Sequence, residues 1–186
     1  MDLLEQIELN RPTLDDVDNS RVHPTNISDY LDVQGRIAEQ FVRQWLGDSG
    51  FNFCGNFEDH NKNYLINFLA NGVVVSVNSR NVCEFDFVGT YLDKPYVVEV
   101  KSSHLNGFTK KANLVYSVAE ELFGTDVNLL LFSPHSLNKN KQLKLLSERN
   151  HSIKCINMGY KLKQLHKAID RFYFQQPYFK IEKKAI

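Results

Sequence analysis

The sequence predicts an α/β domain with a mixed central β-sheet flanked by helices. Three observations predict it. The hydrophobic period is helical over residues 29–46 and changes to alternation between residues 73 and 101. From residue 110 onward, helical and extended patterns take turns. The run Val127 to Phe132 is continuously apolar, as in a strand covered on both faces. The predicted order is helix, three strands, helix, strand, helix, strand, helix, in which an antiparallel hairpin joins a parallel crossover edge.

Residues 1–28 combine Asp15, Asp16 and Asp18 with Pro12 and Pro24 and show little periodicity, so they predict an irregular N-terminal arm with a short helix at most. Residues 29–186 form the one predicted domain. In its first helix Leu31, Val33, Ile37, Ala38, Phe41, Val42 and Trp45 recur at three-to-four spacing, with Ser28 or Asp29 as N-cap and Gly47 and Gly50 as stops. Glu39 lies at the margin of that apolar stripe. Asn63 to Leu69 reads as a short helix ended by Asn71-Gly72, and Val73 to Val77 as a strand. Asn78 to Asn81 is a turn leading to the apolar strand Glu84-Phe85-Asp86-Phe87-Val88. Leu92 to Pro95 has turn composition, so Tyr96 to Lys101 returns as the second arm of a hairpin. Helices follow at Lys110 to Phe123, Leu137 to Glu148 and Leu162 to Phe174, with strands at Val127 to Phe132 and Ile153 to Asn157. The aromatic residues Phe172, Tyr173, Phe174, Tyr178 and Phe179 suggest a core-capping or dimer-forming strand.

With 186 residues, 42% hydrophobic and 12% aromatic, the chain can bury a sizeable core without staples. The three cysteines are isolated and odd in number, which argues against a disulfide framework and against a clustered zinc or iron–sulfur site. The acidic N-terminus lacks the basic region and apolar core of a signal peptide, and no run approaches a membrane span. A cytoplasmic protein without a membrane partner is expected. Six dispersed histidines show no metal-ligand spacing, and no glycine loop is suited to cradling phosphates.

The chemistry concentrates in the hairpin. Side chains alternate along a strand, so Glu99 and Lys101 share one face with Val97, opposite Val98 and Val100, while Glu84, Asp86 and Val88 face away from Phe85 and Phe87. Pairing the apolar faces brings Asp86 close to Glu99 and Lys101. Two carboxylates at close range repel unless a cation sits between them, and oxygen ligands with open positions favour Mg²⁺ or Mn²⁺. Such an ion can activate water and stabilise charge on a phosphate, with an ammonium alongside. The bland alternative is a half-exposed hairpin with ordinary surface ion pairs.

Net charge is zero but unevenly spread. Residues 1–100 hold 7 Lys/Arg against 16 Asp/Glu, and residues 101–186 hold 15 against 6. An acidic metal site beside a basic phosphate-tracking surface has this asymmetry, and so do two internally docked surfaces of opposite sign. Lys110 and Lys111 open a helix, where the dipole disfavours them, yet a solvated turn explains them too. Lys139, Lys141, Lys144 and Arg149 either extend a phosphate-contacting surface or form a plain helix exterior.

Gly35-Arg36-Ile37-Ala38-Glu39 on the first long helix, Asp86 at a strand end, and Glu99-Val100-Lys101 thirteen residues later resemble the PD-(D/E)XK, or restriction-endonuclease-like, nuclease superfamily. Within it the chain is most similar to Holliday-junction-resolvase-type small endonucleases. The resemblance covers residues 29–133 and implies an αβββαβ core, here followed by an additional αβα. It implies that Asp86, Glu99 and the Val100 carbonyl bind Mg²⁺ or Mn²⁺, that Glu39 reaches the metal, and that Lys101 positions water or stabilises the transition state. Glu39 has an alternative role as an ion-pair partner of Arg43 or Arg36. Lys110, Lys111, Ser102 and Arg36 would contact nucleic acid, although Ser102 and Ser103 equally continue the strand. Phe85 stands where the family places proline before the aspartate. The implied function is metal-dependent hydrolysis of DNA, on branched or structured substrates, by a homodimer. The alternatives are a catalytically inactive nucleic-acid-binding module of the same fold and an RNA-processing nuclease.

Overall fold

Helix α2 (Tyr30–Asp48) shows how the sequence becomes architecture. Asp29 caps it by accepting hydrogen bonds from the backbone N–H of Leu31 and Asp32. Its apolar stripe, Val33, Ile37, Phe41, Val42, Trp45 and Leu46, is buried. The computed structural model describes residues 1–53, 63–69, 72–102, 108–134 and 141–176. Ser103, Lys139, Tyr178 and Phe179, named above, lie outside these residues.

Among the described residues, seven strands form two sheets. Strands β1 (Leu65–Leu69), β2 (Gly72–Val77) and β3 (Arg80–Phe85) make an antiparallel meander. Strands β4 (Phe87–Tyr91), β5 (Lys94–Val100), β6 (Asn128–Ser133) and β7 (Ile153–Asn157) make a mixed sheet in the order β4-β5-β6-β7. Its first pair is antiparallel and the other two are parallel, as expected for a hairpin joined to crossovers. The crossovers run through α3 (Phe108–Phe123) and α4 (Lys141–Arg149), and α5 (Leu162–Gln175) follows β7. The chain is thus a mixed α/β protein with two sheets.

Three local expectations are corrected. Residues 65–69 form a strand, because cross-strand pairing with β2, from Leu65 opposite Ser76 to Leu69 opposite Gly72, outweighs any short isolated helix. The strand expected over residues 84–88 breaks at Asp86, where the chain leaves one sheet and enters the other. The break sends Phe85 into one core and Phe87 to the edge of the other, so they share no face. Phe172 to Phe174 belong to α5, with Phe172 buried and Phe174 exposed, rather than to a strand. A helical period already carries Leu165, Ala168, Ile169 and Phe172 onto one buried face.

The β4–β7 sheet separates two cores. On one side Val98, Leu130 and Phe132 meet α2, α5 and the N-terminal residues; on the other Val97, Leu129 and Leu131 meet α3 and the β2–β3 hairpin. Strand β6 is therefore apolar at successive positions, because both its faces are covered. The N-terminal residues form helix α1 (Leu3–Leu9) and two single 3-10 turns, and they bury Leu3, Ile7, Leu14, Val17 and Val22. Trp45 Nε1 donates to the Ile7 carbonyl at 2.6 Å, and Gln44 bonds to the backbone of Asp16 and Asp18. Arg171 of α5 pairs with Asp15 and donates to the Leu14 carbonyl.

The β4–β5 hairpin closes through Leu92 and Asp93, both at positive φ, a two-residue turn whose twist matches its strands. Behind it, Asn52 and Thr90 exchange two backbone hydrogen bonds of 2.9 Å. A Cβ on Gly89 would overlap the Phe51 ring and the Asn52 carbonyl oxygen. Gly89→Ala should destabilise the fold by about 1–3 kcal/mol, the usual cost of overpacking. Urea unfolding checks this, and an unchanged midpoint would mean that residues 51–52 are not seated on β4.

Candidate functional site

Asp86 sits where the two sheets part. Its backbone N–H donates to the Val98 carbonyl at 3.1 Å, and its Oδ2 accepts from the Val100 N–H at 2.6 Å. The carboxylate thus replaces the strand backbone that Val100 would otherwise pair with. Glu99 lies opposite the bend, beyond the Phe87 and Val98 pair. Both residues stand at the carboxyl end of β5, the edge where open α/β sheets bind ligands.

Glu99 is fully buried, and its Oε1 has no hydrogen-bond donor. Lys111 Nζ, on the first turns of α3, lies 2.5 Å from Glu99 Oε2 as an ion pair. Burial, and then the neighbouring Asp86 charge, push the Glu99 carboxyl up to about 8, although Lys111 and Lys101 pull against them. Burial also raises Asp86, opposed by Lys111, the Val100 N–H, Arg36 and Lys101.

Glu39 approaches from α2. It is half-buried, and its Oε2 accepts from Arg36 Nη1 at 2.7 Å, while Arg36 also lies 3.5 Å from Asp32. The Arg36 pairing anticipated as the alternative is therefore present. Burial and the Asp86 charge still push Glu39 up to about 7, so it feels the same acidic centre. Lys101 enters that field as well, and its N–H anchors the strand end to the Phe132 carbonyl at 2.8 Å.

The residues expected to contact nucleic acid divide. Lys110 is exposed, whereas Lys111 turns its ammonium to Glu99. Ser102 Oγ accepts from the buried Gln34 of α2 at 3.1 Å, and its carbonyl accepts from Tyr160 at 3.3 Å, so Ser102 ties the strand end to two elements. Arg36 serves as counterion to Asp32 and Glu39. Cys83 is buried and its thiol pushed up to about 11, which leaves no thiolate for nucleophilic work.

Does this donor set suit a divalent metal? Two neighbouring carboxylates, one with an oxygen lacking a donor, supply hard oxygen ligands around which water could complete a shell. Asp86 and Glu99 fit such an ion to that extent. No group of three or more His, Cys, Asp or Glu among the described residues is gathered as a metal cluster, and Glu39 is paired with Arg36.

Sequence reasoning missed two features of the site. Lys111 was expected at a phosphate-facing surface, and its unfavourable place near a helix N-terminus was the available signal. The second is a cleft of about 560 Å³ between α2, β1 and the start of β4, which holds Arg21, His23 and Arg43 together with Glu39 and Asp86.

The raised carboxyls make a pH dependence. Below their ordinary value of 4.5 both folded and unfolded forms are protonated; as pH rises toward 8 the unfolded chain releases protons that folded Glu39 and Glu99 still hold. Stability is therefore lost as pH rises through that window. Thermal melts in chelator should show a decline on the order of a few kcal/mol between about pH 5 and 8, flattened in Glu99→Gln. A flat wild-type profile would contradict the burial of these acids.

No family model and no curated protein matches the chain. Among solved structures it is similar to Can2 from Sulfobacillus thermosulfidooxidans in complex with cyclic tetra-adenylate, at 17% identity and a TM-score of 0.43, covering 78% of this chain and 39% of that one. It is also similar to protein VC1899 from Vibrio cholerae, at 14% identity and a TM-score of 0.43, covering 78% of this chain and 36% of that one. The chain spans well under half the length of either protein.

Proposed function

We propose that this protein is a metal-dependent endonuclease of the PD-(D/E)XK type that hydrolyses phosphodiester bonds in DNA. One observation carries the proposal: the fully buried Glu99 carboxylate, one oxygen of which has no hydrogen-bond donor, lies in the field of Asp86 at the carboxyl end of β5. A protein holds such a pair at a cost in stability, and strongly perturbed acids gather where chemistry uses them.

Asp86, Glu99 and the Val100 carbonyl would hold Mg²⁺ or Mn²⁺, with Glu39 directed toward it from α2. When bound, the ion supplies Lewis-acid stabilisation of the phosphate and lowers the pKa of water. Lys101, which already acts electrostatically on Glu99 and Asp86, adds positive charge where the pentacovalent phosphate becomes more negative. Lys111 favours the ionised form of Glu99 against burial and offers a second ammonium at the same carboxylate. Glu39, poised near 7, can take up or release a proton at its carboxylate around neutral pH.

The Lys111 to Glu99 pair favours a second reading, a nucleic-acid-binding module without catalysis, in which an internal ammonium permanently serves as the counterion. Plasmid nicking and cleavage of branched DNA, single-stranded DNA and RNA, each with Mg²⁺, Mn²⁺ or chelator, separate the two. Cleavage should require metal and fall at least ~100-fold in Asp86→Asn and in Lys101→Ala, the scale of losing a transition-state charge contact. Unchanged cleavage in Asp86→Asn would sink the assignment. Binding without cleavage, together with no calorimetric response to Mn²⁺, would establish the second reading.

A further inference from the structure

The cleft beside Asp86 is assigned no role by the metal chemistry. Its walls are of two kinds. One carries the arginines, with His23 beside them: Arg21, which also pairs with Asp18 at 3.4 Å, and His23 come from the N-terminal residues and Arg43 from α2. The other is apolar: Phe53, Phe68, Leu69, Val73, Phe87 and Val88. Arg43 is exposed and pairs with no carboxylate among the described residues, unlike Arg36 about two turns earlier. Its guanidinium instead lies 4.9 Å from the Phe53 ring centroid and 5.7 Å from that of Phe87. Such stacking holds the fork of donors in place while leaving its edge open to an anion. Across the cleft, Phe68 is 46% exposed and Leu69 60%, a large apolar area for β1 to leave in water.

Resting on the nuclease reading, we infer that this cleft is a subsite for one unpaired nucleotide: Arg43, with Arg21 and His23, takes its phosphate, and Phe68 offers its base a stacking face. The volume of about 560 Å³ falls within the range of small-ligand pockets, roughly 300–1,000 Å³. It accommodates one nucleotide and excludes a duplex about 20 Å across, so a base must already be single-stranded or be turned out of its helix to enter. Phosphate belongs at the cationic wall, because Glu39 and Asp86 at the inner end repel it. Aromatic stacking tolerates every base, so the subsite selects for unpaired structure rather than sequence. The nucleotide seated here would neighbour the bond presented to Asp86 and Glu99, and the cleft would set the substrate class of that centre.

The test is equilibrium binding in chelator, where no cleavage occurs, by fluorescence anisotropy of the full chain. The probes are a labelled oligo-dT, a fully paired duplex of equal length, and the same duplex with one unpaired base. Oligo-dT should bind at least tenfold more tightly than the paired duplex, and adenosine monophosphate should compete with it. Binding of the third probe at the level of the single strand indicates entry by flipping, and binding at the duplex level restricts entry to single strands; either supports the subsite. Arg43→Ala and the exposed Phe68→Ala should each weaken oligo-dT binding about tenfold, whereas Lys94→Ala at the far hairpin tip should not. Phe68→Ala keeps the test decisive if Arg43→Ala folds poorly. Equal affinity for single strand and paired duplex, or wild-type affinity in both cleft variants, would overturn the inference. Metal-dependent cleavage is scored separately, so loss of the nuclease reading and loss of the subsite give different results.

Discussion

The site depends on how Asp86 is fastened to β5. Its N–H and its carboxylate bond successive backbone groups of that strand, at Val98 and Val100, while the chain passes from one sheet to the other. Without the side-chain bond the Val100 N–H would lose its partner at the point of divergence, a cost of about 1–3 kcal/mol for a buried donor. The same bond orients the acid beside Glu99. A structural necessity of the sheet break and the placement of a reactive group are thus one interaction.

Around that bend the protein keeps more negative charge than burial favours. Glu99 is fully enclosed with one oxygen lacking a hydrogen-bond donor, and Asp86 and Glu39 raise the cost of ionising one another. Lys111 offsets part of this, but its own stem is partly exposed, so the pair sits between a surface bridge and a buried one. Apolar residues at these positions would make a more stable protein. On the proposed nuclease reading, a cation and a phosphate would complete the charge balance that these acids leave open.

Helix α2 joins the core to this chemistry. Its apolar stripe packs on the sheet, and its flank presents Arg36, Glu39, Gln40 and Arg43 to the cleft. The N-terminal residues complete the opposite wall with Arg21 and His23. They are positioned because Leu14, Val17 and Val22 are buried and because Gln44 and Arg171 bond their backbone. Packing of residues 1–28 against α2 and α5 therefore shapes the cleft as much as the sheet does.

Much of the framework was legible before any coordinates. The spacing from Val33 to Trp45 and the Asp29 cap define α2; the unbroken apolar run marks β6 as covered on both faces; and alternation places Val98 and Val100 opposite Val97. The same alternation, with hairpin register, predicted that Asp86 meets Glu99. What sequence could not decide was the break at Asp86, the pairing that makes residues 65–69 a strand, the reach of Lys111 into Glu99, and the stacking of Arg43 on Phe53 and Phe87. The physical reason is range. Local periodicity determines which face of an element a side chain occupies, because backbone geometry alone sets that direction. Which faces then meet, and whether a carboxylate is left buried without a donor, is settled only when layers distant in sequence close on one another.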